Sequence, residues 1–402
     1  MGGSVLQLAA VGKQDIFLIG NPQITFFKSV YKRHTNFAIE SIPLNFKGNV
    51  DFGSKIKCLI ERKGDLMSNM MLEIKLPALE NGISWVNGIG NVMIDRVELE
   101  IGGEIIDTIH GNFLDIYHEV CNDEGQRAGY NKMVGKTDYF SKFSYNDTMT
   151  LYIPLPFWFC RDLGKSLPLI ALQYHDVELN LYLRPFNETW YSGNDMSNTP
   201  DRVSIINAFV SCDYIFLDVP ERKYFAQNMH SYLIEQHQIN RGNPVLDKSP
   251  KSKVNLDFNL PVKELYWIYQ ANDVALTNDW LNYSNTMYDD MNPLLGEEPI
   301  NIVEFRLNGM DRFIPREGSY FRLVLPYQRH NRITDKYIYN YTFCFKPEEV
   351  IPTGSLDFSW INSAELVFYH PTEILAGNIT VFAINYNILE IKNGMANKKY
   401  NS

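Results

Sequence analysis

The run Val97-Glu98-Leu99-Glu100-Ile101-Gly102-Gly103 has a partner in Val303-Glu304-Phe305-Arg306-Leu307-Asn308-Gly309, at an offset of 303 − 97 = 206 residues. Both runs alternate apolar and polar residues, the pattern of a strand with one buried face. Both end on a Gly-Gly or Asn-Gly pair, which supplies the positive φ angles of a tight hairpin. Another glycine follows each hairpin, Gly111 and Gly318, offset by 318 − 111 = 207. Further on, Val177-Glu178-Leu179 and Ala364-Glu365-Leu366 repeat at 364 − 177 = 187. The same order at about half a chain length predicts two related β-domains.

The rest of the chain reads the same way. Strand-like alternation recurs at Met71–Leu76, Val177–Leu183, Val254–Phe258 and Ile379–Ile384. Helical periodicity is scarce. Its best instance is Asn112–Cys121, where Phe113, Ile116, Tyr117 and Val120 share a face, with Asn112 as N-cap and Asp115 in the first turn. The charged, Pro-containing stretch Asp218–Lys223 suits a short linker. The predicted fold is all-β, with two consecutive eight-stranded jelly-roll β-sandwiches and short helices in the connections. The predicted division is an N-terminal arm at 1–24, a first jelly roll at 25–213, a linker at 214–223 and a second jelly roll at 224–402.

Composition narrows the function. The 402 residues are 45% apolar and 13% aromatic, which suits pleated, half-buried surfaces. Lys plus Arg minus Asp plus Glu is 37 − 47 = −10. Such an acidic chain lacks the cationic excess that coats nucleic acid by neutralising phosphates, so no specific nucleic-acid binding is expected. The five cysteines are scattered, with no CxxC pair, and read as reduced thiols without a zinc ribbon. No signal peptide is expected, because the Met-Gly-Gly-Ser-Val-Leu start has neither a basic head nor an apolar stretch.

Catalytic patterns fail on their own terms. Gly129–Thr137 resembles a phosphate-binding loop but has five residues between its glycines where four are needed, and reads as a surface loop. His230 and His237 are seven residues apart on a strand-like run, hence on opposite faces, and cannot share a metal. The adjacent acidic pairs Asp289-Asp290, Glu297-Glu298 and Glu348-Glu349 point apart rather than across a cleft. No catalytic residue, cofactor site or metal site is predicted. Residues 270–299, rich in Asn, Asp and Tyr, read as a long exposed loop with Trp280, Tyr283 and Tyr288 as outward contacts. Near the N-terminus, Lys28, Lys32, Arg33 and His34 interleave with Phe26, Phe27, Tyr31 and Phe37, a basic-aromatic arm suited to packing under a neighbour or on an inner layer.

Three blocks carry a family resemblance. They are Gln14–Lys28 running into Val30–Phe37, Tyr339–Glu349 continuing to Asp357-Phe358-Ser359, and Ala383–Leu389 followed by Gly394-Met395-Ala396. Together they resemble the major capsid proteins of nucleocytoplasmic large DNA viruses, as in phycodnaviruses and iridoviruses. The resemblance spans the chain; Trp360 departs from it, standing where a smaller or basic residue is expected. It implies a structural protein, not an enzyme, with a double jelly roll. It further implies a homotrimeric, pseudo-hexagonal capsomer that tiles an icosahedral shell around a double-stranded DNA genome. The implied partners are neighbouring capsomers, minor capsid proteins and an inner membrane layer. The implied place is the virion, after assembly in the host cytoplasm. On this reading Phe26, Phe27, Lys28, Tyr31, Lys32 and Arg33 lie on the inner face. The alternative is a two-domain jelly-roll enzyme acting on glycans, or a carbohydrate-binding protein stacking sugars on the aromatics of 267–288.

Overall fold

Strand pairing begins at Phe37 in the computed structural model, which describes residues 2–80, 82–137, 146–193, 199–286 and 296–400. Eight strands build the first sandwich: β1 (Phe37–Asn45), β2 (Lys55–Ile60), β3 (Leu66–Leu76), β4 (Ile94–Ile101), β5 (Glu104–His110), β6 (Met149–Pro154), β7 (Val177–Leu183) and β8 (Asn207–Leu217). Eight more build the second: β9 (His230–Val245), β10 (Lys251–Asn255), β11 (Pro261–Ala271), β12 (Ile302–Leu307), β13 (Met310–Asp311), β14 (Tyr339–Thr342), β15 (Ala364–Tyr369) and β16 (Gly377–Lys392). The first sandwich has sheets of order β1-β8-β3-β6 and β2-β7-β4-β5. The second has β9-β16-β11-β14 and β10-β15-β12-β13. Adding eight to each label of the first pair reproduces the second. The chain is a double jelly roll.

Register repeats along with order. Ile101, Glu100 and Leu99 face Val177, Glu178 and Leu179, as Leu307, Arg306 and Phe305 face Ala364, Glu365 and Leu366. Both hairpin turns are built as their sequences require. Gly102 and Gly103 have φ of 60° and 86°, and Asn308 and Gly309 have 50° and 78°. The glycines after the hairpins are also equivalent. A Cβ on Gly111 would overlap the carbonyl oxygen of Ile94, and one on Gly318 the carbonyl oxygen of Ile300. In the second sandwich the strand after the turn is broken: Arg316–Glu317 pairs with the start of β12 and β13 with its end.

Sheet β9-β16-β11-β14 is buried on both faces. Leu265, Trp267 and Tyr269 of β11 pack into the second core with Val381 and Ala383 of β16 and Phe305 of β12. The alternate residues Tyr266, Ile268, Phe382 and Ile384 belong to the core of the first sandwich. Two-sided burial explains why β11 is buried almost throughout its length instead of alternating.

Four expectations need correction. Strand β8 runs through Leu217, and Val219–Gln227 is a helix capped by the Asp218 side chain with Pro220 in its first turn, so residues 214–223 are not an irregular linker. The helix expected at Asn112–Cys121 is present as α1 (Gly111–Cys121), but His110 holds the N-cap position, and Asn112 donates from Nδ2 to Gln270 Oε1 at 3.3 Å. The first part of Gly129–Thr137, Gly129–Met133, belongs to a second helix, α2 (Glu124–Met133), and the following Lys136 is buried, so this stretch is not a surface loop. The arm extends beyond residue 24: Met1–Asn36 forms a compact unit of its own, with short helices at Gly3–Ala9 and Ile16–Ile19 and no buried residue in either.

Candidate functional site

Helix α1 leaves the end of β5 and carries two carboxylates one turn apart, Asp115 and Glu119, to the junction of the sandwiches. Both are buried, so each needs cationic partners. Lys136, just beyond α2, reaches Asp115 Oδ1 at 3.3 Å and also bonds Glu119 Oε1. The second sandwich supplies the rest. Lys336 Nζ lies 2.8 Å from Asp115 Oδ2, and Arg332 Nη2 lies 3.0 Å from Glu119 Oε2. Arg332 Nε also reaches Glu124 Oε2 at 2.9 Å. Thr334 Oγ1 donates to Glu119 Oε2 at 3.1 Å, and the Tyr283 hydroxyl to Asp115 Oδ2 at 3.2 Å. Three anions meet three cations. Burial pushes the Glu119 carboxyl up, but Lys136, Lys336 and Arg332 together outweigh it and hold the group well below its ordinary range. Burial pulls Lys336 down despite the Asp115 charge.

A second ionic contact crosses the junction nearby. Glu235 of β9 bonds Arg161 of the first sandwich and accepts from Lys263 Nζ at 2.9 Å. Burial opposes ionisation of Glu235, yet Lys263 and Arg161 hold its pKa down to about 2. Asp107 of β5 accepts from the His237 backbone N–H at 2.9 Å, and its Oδ2 lies 2.9 Å from His237 Nδ1. His230 instead faces the Phe225 carbonyl through Nε2 at 2.8 Å, so the two histidines have separate partners. A cavity of about 500 Å³ opens beside these groups, lined by Tyr117, Arg161, Lys165, Glu235, Lys263 and Glu348 among others. The junction holds two sandwiches in one orientation; its charges are neutralised by each other.

Two of the three aromatic residues expected to face outwards from 270–299, Trp280 and Tyr283, do otherwise. Tyr283 is 0% exposed, its hydroxyl committed to Asp115, so it is a junction residue. Trp280 is half-buried, with Arg184 over its ring at 4.7 Å and Nε1 donating to the Glu188 carbonyl at 2.9 Å. Asn278 Nδ2 donates to the Asn187 and Trp190 carbonyls at 2.8 and 2.9 Å. The first part of the expected loop is therefore a strap from the second sandwich onto the first. Tyr288 lies outside the described residues.

Exposed apolar surface lies elsewhere. In the arm, Phe26, Phe27 and Tyr31 are exposed, Phe27 to 99%, with Lys28, Lys32 and Arg33 exposed beside them. Phe17 and Leu18 are exposed too. So many large apolar side chains in one segment exceed the scattered apolar residues of an ordinary surface. On the second sandwich Tyr327, Phe345, Ile351 and Trp360 are exposed. Among the described residues, edge strand β1 pairs on one side only, with β8, and it exposes Phe37 and Ile39; such edges are templates for association.

Two jelly rolls of one topology, locked by buried ion pairs and edged with apolar surface, define a double-jelly-roll protein built for packing against other chains. Comparison with known proteins agrees. A family described as "Major capsid protein N-terminus" matches residues 25–218, and one described as "Large eukaryotic DNA virus major capsid protein" matches 221–397. The chain is 38% identical to the major capsid protein of Pyramimonas orientalis virus and 34% identical to that of Paramecium bursaria Chlorella virus 1, each alignment covering 100% of both chains. Among solved structures, a chain of the PBCV-1 virus capsid superposes with a TM-score of 0.81 at 30% identity, covering 94% of this chain and 100% of that one. The Faustovirus major capsid protein shares the fold, with a TM-score of 0.76 at 13% identity over 95% and 94% of the two chains. The chain belongs to the major capsid proteins of large eukaryotic DNA viruses. These relatives are structural proteins, and the glycan-active alternative falls with that finding.

Proposed function

We propose that three copies of the chain form a pseudo-hexagonal capsomer, and that such capsomers tile the faces of an icosahedral virion shell. The observation that carries this reading is the repeated strand order, β1-β8-β3-β6 with β9-β16-β11-β14 and likewise for the other sheets. Each chain brings two wedges of similar shape, so three chains around one axis bring six. On this reading the folding units are the first jelly roll, from Phe37 through Leu217, and the second, near 224–402, with 1–36 as the arm. The arm serves the inner face through Phe26, Phe27, Lys28, Tyr31, Lys32 and Arg33, against neighbouring capsomers, minor capsid proteins or an inner membrane layer. Its exposed apolar side chains support a role that needs a cover. Assembly in the host cytoplasm follows from the same reading. An obligate contact between protomers buries upwards of about 2,000 Å². Negative-stain microscopy of the purified protein tests the geometry: particles with a compact hexagonal outline are expected, and elongated two-lobed single chains at every concentration would overturn it.

A further inference from the structure

The last residue of α1, Cys121, meets two groups from the second sandwich at the junction cavity. They are His330, at the end of the helix Leu325–Arg329, and Glu348, in the loop after β14. One donor atom from each of the three lies within 4.8 Å of the other two. Around a tetrahedral zinc ion, with bonds of about 2.0–2.3 Å, ligand atoms stand about 3.3–3.7 Å apart. Small side-chain rotations therefore close this set around an ion. His330 Nδ1 is already 3.1 Å from Glu348 Oε1.

A second observation points the same way. On the other side of the ring, His330 Nε2 faces Glu264 Oε2 at 3.4 Å. Both atoms are buried and lack a hydrogen-bond partner among the described residues, and their side chains are 0% and 2% exposed. A neutral imidazole carries one N–H and one lone pair, so it cannot donate to both flanking carboxylates. With a metal on Nδ1, the proton sits on Nε2 and points at Glu264. That is the carboxylate–histidine–metal relay that orients a ligating ring. The local charge also suits a dication. Glu264 and Glu348 line the site, and the Lys263 ammonium, 3.9 Å from Glu264 Oε1, is shared with Glu235 at 2.9 Å.

We propose that Cys121, His330 and Glu348, with Glu264 as the carboxylate behind the histidine, form a binding site for a zinc-class divalent cation that staples the two jelly rolls together. Thiolate, imidazole and carboxylate form a donor set that suits zinc and disfavours magnesium or calcium. Binding converts the Cys121 thiol to a thiolate and releases its proton to solvent. The ion would tie the end of α1 to two loops of the second sandwich, beside the buried ion pairs.

Cobalt(II) is the probe. The full-length protein is stripped with a chelator and titrated with Co²⁺. A single equivalent per chain is expected to give a thiolate-to-cobalt charge-transfer band and intense tetrahedral d–d bands, both displaced by zinc. The charge-transfer band should vanish in Cys121→Ser. Glu264→Gln should keep that band but weaken cobalt binding about 10- to 100-fold, the usual effect of losing such a partner. Absence of a thiolate band in the wild-type protein overturns the proposal without any variant having to fold. So does a band that survives Cys121→Ser.

Discussion

Replacing Glu119 by Gln removes one charge from the junction while keeping the side chain's shape. The structure sets the size of the effect. Glu119 is 4% exposed and bonds Lys136, Arg332 and Thr334. Without its charge, Lys136 keeps its contact with Asp115, and Arg332 its contact with Glu124, whose side chain is 65% exposed. Removing one partner of a buried pair costs about 3–5 kcal/mol when the other charge is left uncompensated; Asp115 and Glu124 still offset part of it, so a loss of about 3 kcal/mol is expected. Against a typical total of roughly 5–15 kcal/mol this is a large loss. The assay is urea unfolding at neutral pH and fixed protein concentration, followed by tryptophan fluorescence and circular dichroism. A double-mutant cycle with Arg332→Gln should give a coupling of about 1–3 kcal/mol, since the two side chains touch. Acid titration gives an independent reading. The folded pKa of Glu119 lies below its ordinary 4.5. Its contribution is therefore complete above pH 4.5 and lost as the pH falls through the folded value. Wild-type stability should drop below that pH more steeply than in Glu119→Gln. A loss under about 1 kcal/mol, together with no coupling to Arg332, would show that these ion pairs do not lock the sandwiches.

Three further outcomes follow from the fold. Gly111→Ala and Gly318→Ala should each destabilise by about 1–3 kcal/mol, because the added Cβ overlaps a backbone carbonyl that cannot move cheaply; a thermal unfolding midpoint unchanged from wild type in either variant would contradict that overlap. Trp267→Ala should cost about 3–5 kcal/mol, since its ring stacks on Tyr339 at 6.1 Å and packs on Phe321 at 5.4 Å, and denaturant unfolding should locate that loss in the second sandwich. Joint replacement of Phe26 and Phe27 by Ser should leave unfolding of the rest of the chain within about 0.5 kcal/mol, as both side chains are exposed, while sedimentation shows fewer large assemblies; unchanged assembly would remove the arm from the interface.

Local rules made the jelly rolls legible. Alternation at Val97–Ile101 and Ile302–Leu307, with positive-φ turns at Gly102-Gly103 and Asn308-Gly309, specifies strands and hairpins within a few residues of chain. Their offset carries the duplication. The junction was not legible, because its residues are neighbours only in space. Asp115, Lys136, Arg332 and Lys336 span more than two hundred positions, and each alone reads as an ordinary surface charge. Tyr283 escapes the sequence for a related reason: an Asn-, Asp- and Tyr-rich segment looks like a solvated loop, yet here its polar groups satisfy carbonyls and carboxylates of the other sandwich. One signal was available. Asp115 and Glu119 stand at i and i+4 among the apolar residues Phe113, Leu114, Ile116 and Val120 of α1, and a carboxylate pair on a helix buried by its neighbours requires cations from elsewhere.

The mass of the assembled particle tests the central claim most directly. Multi-angle light scattering on the size-exclusion peak should return about 140 kDa, three times the 46.6 kDa chain, and the value should hold on dilution as an obligate trimer requires. A stable peak at the mass of one chain at high concentration, with no larger assembly under any condition, would contradict it.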